Sequence, residues 1–385
     1  MAKTVPFTGA QAAAYAMKQI NPEVVAAYPI TPQTSIMEEF SQYVADGDVD
    51  TEFIRVESEH SAMSATSGAS AAGVRAMTAT SSAGLALMFE IVGVTSGLRL
   101  PVVMNIVNRA LSAPINIHCD HNDSMACRDS SWIQIYSENA QEVYENTLLA
   151  LRLAEKVLLP VMVMQDGFIT SHSVENVTLQ DDNTVKKFIG NPPERPHLLD
   201  IEKPITIGPL QLFDYYFETK RQQADAMEQA YKEYPKLAKE LSDITGTNHG
   251  FFEKYRLDDA EAAVITLNST AGTAKAVIDK MREKGKKVGL LKLRLFRPFP
   301  YKEIAKALEK IKSIAVLDRS ESYGANPPIL AEIKNALFDS SSKPSVQSCI
   351  FGLGGRDIWE KDIEKVFDDL LAGKINSTTK YIGLR

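Results

Sequence analysis

The chain carries an acid, an arginine and a hydroxyl whose settings suit them to hold and activate a small molecule. The acid is Glu59, in Val56-Glu57-Ser58-Glu59-His60, directly after the strand-like run Phe53 to Val56. A carboxylate at a strand end, among small residues, can share a proton with a ligand. Glu57 is the alternative acid, and both could instead favour the dipole of a following helix. Arg109 follows Pro101 to Val107 (PVVMNIV). Its planar fork pairs bidentately with carboxylates, although an arginine at a strand end can also snorkel to solvent. The hydroxyl is that of Thr31, in Tyr28-Pro29-Ile30-Thr31-Pro32-Gln33-Thr34. Each proline disfavours helix in the residue before it, so Thr31 is expected on a rigid, extended connection between a strand and a helix.

Other clusters carry less. His118-Cys119-Asp120-His121-Asn122-Asp123 has the residue types of a metal site, but lacks the distant second ligand pair of the common templates. It reads as a polar loop, and no metal ligand is assigned. Ser112, Ser130, Ser131 and Ser322 lack the paired His and Asp of a nucleophile elbow. Ser81-Ser82-Ala83-Gly84 opens a helix and could cap it or touch an anion. Gly352-Leu353-Gly354-Gly355 departs from the dinucleotide spacing, and Tyr28-Pro29 stands where that fingerprint would follow the first strand.

At 385 residues the chain is long enough for two domains. Apolar content of 44% and charged content of 24% are those of an ordinary globular protein. A net charge of -7 argues against nucleic acid as a partner. The longest apolar stretch, Ala83 to Val94, is short and contains Glu90, which argues against a membrane span. Met1-Ala2-Lys3 leads into Thr-Val-Pro-Phe without a signal-peptide core, so a cytoplasmic location is expected. Cys119, Cys127 and Cys349 are too scattered for a disulfide framework or a Cys₄ cluster. If the protein takes part in redox chemistry, the electrons leave through another chain.

The elements that must position these groups alternate. Helices are expected over Ala10 to Ile20, from Ser35, over His60 to Ala72, Leu85 to Thr95 and Glu142 to Ala154. Strands are expected at Val24 to Tyr28, Phe53 to Val56, Val74 to Thr80, Pro101 to Val107 and Pro160 to Gln165. Continuous apolar runs such as PVVMNIV and PVMVMQ suit strands buried on both faces. The alternation gives a doubly wound α/β domain over residues 1–190, with a parallel sheet. Residues 191–257 follow as a proline-rich linker or arm and a helical stretch, Leu212 to Leu241. A second α/β domain, 258–385, has expected strands at Ala262 to Leu267, Val288 to Leu295, Ser313 to Leu317 and Ser345 to Phe351.

Five motifs resemble one family in the right order. Tyr-Pro-Ile-Thr-Pro, Val56 to His60, Met77-Thr78-Ala79-Thr80-Ser81, Asn108 to Pro114 and Asp120 to Ser124 are similar to the α-subunit of 2-oxoacid:ferredoxin oxidoreductases, which use thiamine diphosphate. Arg294-Leu295-Phe296-Arg297-Pro298-Phe299-Pro300 extends the likeness across nearly the whole chain. The resemblance implies a pyrimidine-type thiamine-diphosphate-binding domain followed by a smaller transketolase C-terminal-like α/β domain. It implies that Glu59 hydrogen-bonds N1′ of the aminopyrimidine and is catalytic, with Glu59, Tyr28, Pro29 and Ile30 as cofactor-binding residues. It also places Thr31 and Arg109 on the carboxylate of the 2-oxoacid.

The implied reaction is the oxidative decarboxylation of pyruvate, with coenzyme A taking the acyl group and ferredoxin the electrons. The diphosphate of such cofactors is held through Mg²⁺ on a Gly-Asp-Gly segment, which this sequence lacks. A β-type chain is therefore expected to carry Mg²⁺, the diphosphate contacts and a [4Fe-4S] cluster. A γ-type subunit, a ferredoxin-like δ subunit or fused equivalents, and a second copy of the α chain complete the expected assembly. A single arginine in view suits a monocarboxylic oxoacid better than 2-oxoglutarate. The alternatives are a branched-chain or other 2-oxoacid enzyme, a lipoamide-linked or transketolase-type subunit, and a non-catalytic scaffold. The Arg-Pro-Phe-Pro run is expected to serve packing or subunit contact.

Overall fold

A computed structural model describes residues 2–385. In chain order the first domain runs β1 (Lys3–Thr8), α1 (Gly9–Ile20), β2 (Val24–Ala27), α2 (Thr34–Ala45), β3 (Glu52–Arg55), α3 (Glu59–Ala71) and β4 (Ala76–Thr80). It continues through α4 (Ser82–Gly97), β5 (Val103–Asn108), α5 (Asn122–Ala126), β6 (Ile133–Tyr136), α6 (Ala140–Val157), β7 (Val161–Asp166), β8 (Val174–Leu179) and α7 (Asp182–Ile189). Local chemistry fixes many of these ends. The Thr8 hydroxyl and the Gln11 side chain form a reciprocal cap that starts the alanine-rich α1. The carboxamide oxygen of Asn139 accepts from the Glu142 amide to start α6. All residues of β5 and β7 are buried, as their mainly apolar runs require, and Asn105 within β5 accepts from the Thr147 hydroxyl at 3.0 Å.

The main sheet has the order β12-β6-β7-β5-β4-β2-β3. It is parallel except for β12 (Leu295–Arg297), which joins antiparallel to β6. β2 has β3 on one side and β4 on the other. The direction of winding reverses there, and the crevice at the carboxyl end of such a reversal is where open α/β sheets bind ligands. The segments that leave β2, β3, β4 and β5 at that edge carry Thr31, Glu59, Gly84 and Arg109. A separate antiparallel pair, β1 with β8, has no counterpart in the sequence reading.

An irregular stretch, 191–215, leads to the long α8 (Tyr216–Thr245), which packs on α6 through Ala230, Tyr234 and Leu237. The second domain comprises β9 (Phe252–Tyr255), β10 (Ala262–Thr266), α9 (Thr270–Glu283), β11 (Val288–Leu293), then β12 and α10 (Tyr301–Ala307). It ends with β13 (Ser313–Asp318), α11 (Pro328–Phe338), β14 (Ser345–Ile350), α12 (Glu360–Leu371) and β15 (Lys380–Tyr381). Its sheet has the order β15-β14-β13-β10-β11-β9. The sequence pattern predicts one strand from Val288 to Leu295, but the chain breaks out of that sheet at Arg294. The Arg294 guanidinium is buried and donates to Glu142 Oε1 at 2.7 Å and to the Gly250 carbonyl at 2.7 Å. β12 can then cross to β6, so the Arg-Pro-Phe-Pro run is a seam between the two domains. Arg297 closes that seam with bonds to the Arg128 carbonyl and to Glu332.

Under the seam lies a buried charge network. Lys292 Nζ meets Glu142 Oε1 at 2.5 Å, Glu138 Oε2 at 2.7 Å and Glu253 Oε2 at 2.9 Å. These carboxylates lie close enough together to hold a cation, and the lysine ammonium fills that role. Burial alone pushes the Glu142 carboxyl up, but Arg294 and Lys292 outweigh it and hold it far below the usual carboxylate range. A carboxylate depressed in this way stabilises the fold above its unfolded pKa of about 4.3 and loses that contribution as pH falls toward the folded value. Glu142→Gln is therefore expected to destabilise the protein by about 3–5 kcal/mol, because it takes the carboxylate from the buried Arg294 and one of three from Lys292. Urea denaturation at neutral pH checks this, with Lys239→Ala, which breaks the exposed pair to Asp243, as the control that leaves the midpoint in place. The advantage of Glu142 over Gln should shrink as the titration is repeated below about pH 4.

Candidate functional site

Glu59 is the first residue of α3, set by Ser58, whose hydroxyl accepts from the Ser61 amide at 3.2 Å. Its side chain turns inward, leaving the residue 7% exposed. Among the described residues nothing donates a hydrogen bond or an ion pair to its carboxylate, an unusual state for a buried acid. The carboxylate abuts Gly84 at the start of α4: a Cβ there would lie 2.7 Å from Glu59 Oε1 and 2.5 Å from Thr80 Oγ1. Thr80 Oγ1 is also buried without a partner. Two unspent polar groups thus converge on a glycine notch. Glu57, the alternative acid, is exposed and accepts a hydrogen bond from Ser61, which lowers its pKa.

Arg109 is 7% exposed and lies against the segment that leaves β2. Its Nη1 donates to the Thr31 carbonyl at 2.9 Å and its Nε to the Asn116 carbonyl at 3.0 Å. A guanidinium has five N–H donors, so Nη2 and one hydrogen of Nη1 stay free for an anion. Thr31 is in a turn rather than extended backbone, and its exposed hydroxyl has no hydrogen bond among the described residues. Tyr28 and Pro29 are exposed beside it, and Ile30 is half-buried. The structure therefore joins Thr31 to Arg109 by a direct bond.

Asp123 links this pair to the glycine notch. It is buried, and its Oδ2 accepts from the amides of Arg109 and Ser82, each at 3.0 Å. Its Oδ1 accepts from Asn108 Nδ2 and the Ser124 amide, each at 2.8 Å. Burial pushes this carboxyl up to about 6, against the pull of its N–H donors. Ser82 stands at φ 47°, in the left-handed region, which costs a residue with a side chain on the order of 1 kcal/mol. Its bonds to Asp123 and to the Ala110 carbonyl hold it there, and Gly84 follows two residues on.

The polar loop His118–Asp123 divides. His118 is exposed, whereas Cys119, Asp120, His121 and Asp123 are buried. His121 Nε2 meets Asp166 Oδ1 at 2.7 Å, and Cys119, His121 and Asp166 lie within metal-binding distance of one another. The cation there is Arg319, whose Nη1 lies 3.0 Å from Asp166 Oδ2. Burial pushes Asp166 up, but Arg319 and His121 outweigh it and hold its carboxyl well below the usual range. Asn268 Nδ2 and the Ser269 amide also donate to Asp166, at 2.9 and 3.2 Å. Sequence alone does not mark Asp166 and Arg319 as site residues. Their only signal is a charge at or just past the end of an apolar parallel strand, the same position that marks Arg109.

The profile "Pyruvate flavodoxin/ferredoxin oxidoreductase, thiamine diP-bdg" matches residues 15–239, and "Pyruvate:ferredoxin oxidoreductase core domain II" matches 260–363. The chain is 55% identical over 384 residues to pyruvate synthase subunit PorA of Thermotoga maritima, covering 99% of this chain and 98% of that protein. It is 45% identical to pyruvate synthase subunit PorA of Methanocaldococcus jannaschii, covering 100% and 99%. It is 41% identical to ketoisovalerate oxidoreductase subunit VorA of Pyrococcus abyssi, covering 98% and 97%. Among solved structures, 2-oxoglutarate:ferredoxin oxidoreductase from Magnetococcus marinus superposes with a TM-score of 0.75 at 20% identity, over 96% of this chain and 65% of that one. A split-gene transketolase superposes with a TM-score of 0.58 at 10% identity, over 96% and 99%.

Asp123→Asn keeps the size of the side chain but turns a donor amide toward amides that need an acceptor. A loss of about 1–3 kcal/mol is expected in chemical denaturation. Asp50→Asn, at an exposed carboxylate, is the control that should leave the midpoint in place.

Proposed function

This chain belongs to the pyruvate flavodoxin/ferredoxin oxidoreductase family, and from that premise we propose that it is the thiamine-side subunit of a pyruvate:ferredoxin oxidoreductase. Its first domain is of the thiamine-diphosphate-binding type, and its second has a transketolase-like fold. The observation that carries the proposal is the buried, unpartnered Glu59 carboxylate at the Gly84 notch, on the same sheet edge as Arg109 and Thr31.

The notch fits one end of the expected cofactor. A flat aminopyrimidine needs an acid at its N1′ nitrogen and a wall without side-chain atoms; Glu59 and Gly84 offer these, and Thr80 Oγ1 adds a free hydroxyl. Glu59 would hold N1′ and share the proton there, with no protein donor competing for its carboxylate. When bound, thiamine diphosphate supplies a nucleophilic carbon and an electron sink for the keto group. Arg109 Nη2 and the Thr31 hydroxyl would orient the substrate carboxylate. Backbone carbonyls already fix the guanidinium, so the site is set before substrate arrives. The carboxylate must still be free to depart as CO₂.

Other chains are needed to complete the enzyme. Mg²⁺, the diphosphate contacts and a [4Fe-4S] cluster are assigned to a β-type subunit; γ- and δ-type subunits or fused equivalents, ferredoxin and coenzyme A supply the rest. The surface supports such an assembly. Leu87 and Phe89 on α4 are 50% and 49% exposed beside the notch, and Ile115 is 77% exposed next to Arg109. Leu199, Ile201, Leu210 and Phe213 are exposed on the 191–215 arm, which is read as crossing onto a partner, with a second copy of this chain in the assembly. Among the described residues no helix is long and apolar enough to cross a membrane.

Turnover of the reconstituted complex with pyruvate, 2-oxoisovalerate and 2-oxoglutarate, with ferredoxin as acceptor, tests the reading. Pyruvate is expected to give the highest kcat/KM; preference for 2-oxoisovalerate would favour the branched-chain alternative. Glu59→Ala should lower kcat on the order of a hundredfold or more while the complex still assembles. Undiminished turnover in that variant would leave the chain a scaffold.

A further inference from the structure

The second domain contributes no group to the notch, yet its carboxyl edge grips the loop that carries the substrate arginine. We propose that the Gly352–Gly355 turn after β14 is a latch that sets the guanidinium of Arg109, with Asn116 as the positioning residue between them. This rests on the reading of Arg109 as the holder of the substrate carboxylate.

The linkage can be followed bond by bond. The Gly355 amide donates to the Cys119 carbonyl at 2.7 Å, and Asn116 Nδ2 donates to the Gly354 carbonyl at 3.0 Å. The Asn116 side chain also turns back on its own loop, its Oδ1 accepting from the His118 amide at 2.7 Å. The His118 carbonyl accepts from the Ala110 amide at 2.9 Å, which closes the loop just past Arg109. The Asn116 carbonyl is the acceptor for Arg109 Nε at 3.0 Å. One asparagine thus spends its donor on the second domain, its side-chain oxygen on the loop and its main-chain oxygen on the arginine. Remove the first bond and that carbonyl, half of what holds the guanidinium, is no longer tied to the second domain.

The glycines are needed for the approach. Gly354 and Gly355 stand at φ 62° and 80°, a conformation that side chains disfavour. A Cβ at Gly354 would run into the Asn116 carboxamide, and one at Gly355 into the His118 side chain. Elsewhere along the junction the loop is also tied down, by the His121 amide to the Arg319 carbonyl at 2.8 Å and by Ser320 Oγ to Asn122 Oδ1 at 2.6 Å. Those bonds hold the domains together when the latch is cut, so the latch can be tested without separating them. Weakening one charge-assisted hydrogen bond to the substrate carboxylate costs on the order of tenfold in binding.

The test uses the reconstituted complex, pyruvate as substrate, and two uncharged variants, one from each side of the contact. Asn116→Ala and Gly355→Ala are each expected to raise KM for pyruvate about tenfold, with kcat and the Kd for thiamine diphosphate within about threefold of the parent. In an Arg109→Ala background, which itself raises KM, Asn116→Ala should add nothing further, since it acts through the arginine. If both single variants leave KM within about twofold, or if Asn116→Ala raises KM equally without Arg109, the latch is wrong. If Arg109→Ala leaves KM unchanged, the substrate reading itself fails and the latch with it.

Discussion

One buried carboxylate, that of Asp123, ties the candidate site together. It accepts the amides of Ser82 and Arg109 on the same oxygen and those of Ser124 and the Asn108 side chain on the other. Ser82 leads to the glycine notch that receives Glu59, and Arg109 leads to Thr31. An acid that activates a cofactor and an arginine that orients its substrate must keep a fixed separation, because proximity contributes to catalysis only when geometry is set in advance. Glu59 stands on the segment leaving β3 and abuts Gly84, and Asp123 ties the Ser82–Gly84 segment, which leaves β4, to Arg109, which follows β5. The cost of Asp123 is the desolvation of a charge, which its N–H donors offset only in part.

The second constraint is where the two domains meet. Asp166 ends β7 of the first sheet, while Asn268, Ser269 and Arg319 follow β10 and β13 of the second. The carboxyl edges of both sheets therefore face each other across the polar loop 116–123. On the proposed reading, a domain that supplies no group to the notch would in this way govern the precision of a site in its neighbour. On that reading, this division of labour suits an enzyme completed by other chains: this subunit would shape one half of a cofactor site, with exposed apolar side chains such as Leu87, Phe89 and Ile115 left for a partner.

Much of this was legible in the sequence, for physical reasons. Apolar runs ended by a polar residue marked β5 and β7, and the helix–strand alternation fixed the parallel sheet. The segments that leave strands at the carboxyl edge drew attention to Thr31, Glu59 and Arg109. The choice between Glu57 and Glu59 rests on a motif; in the structure Glu57 is exposed and Glu59 turns inward. What stayed hidden was long-range. Nothing local distinguishes Arg294, which breaks a strand, from Lys292, which stays in it. Arg319 looks like any charge after a strand until the other domain brings Asp166 to it. The β1–β8 pair is separated by most of a domain and mixes exposed and buried residues, so neither strand shows a clean alternation. Asn116 is invisible in the same way: its importance lies in what three of its atoms touch.

Above all, the proposed function requires Glu59 to face the pyrimidine nitrogen of a thiamine diphosphate whose tail lies on another polypeptide. A structure of the assembled complex with thiamine diphosphate bound tests it most directly. The account predicts a Glu59 carboxylate oxygen within hydrogen-bond distance of N1′, Gly84 against the ring, and diphosphate and Mg²⁺ contacts on the partner. A ring bound away from Glu59, or a diphosphate held by this chain, would contradict it.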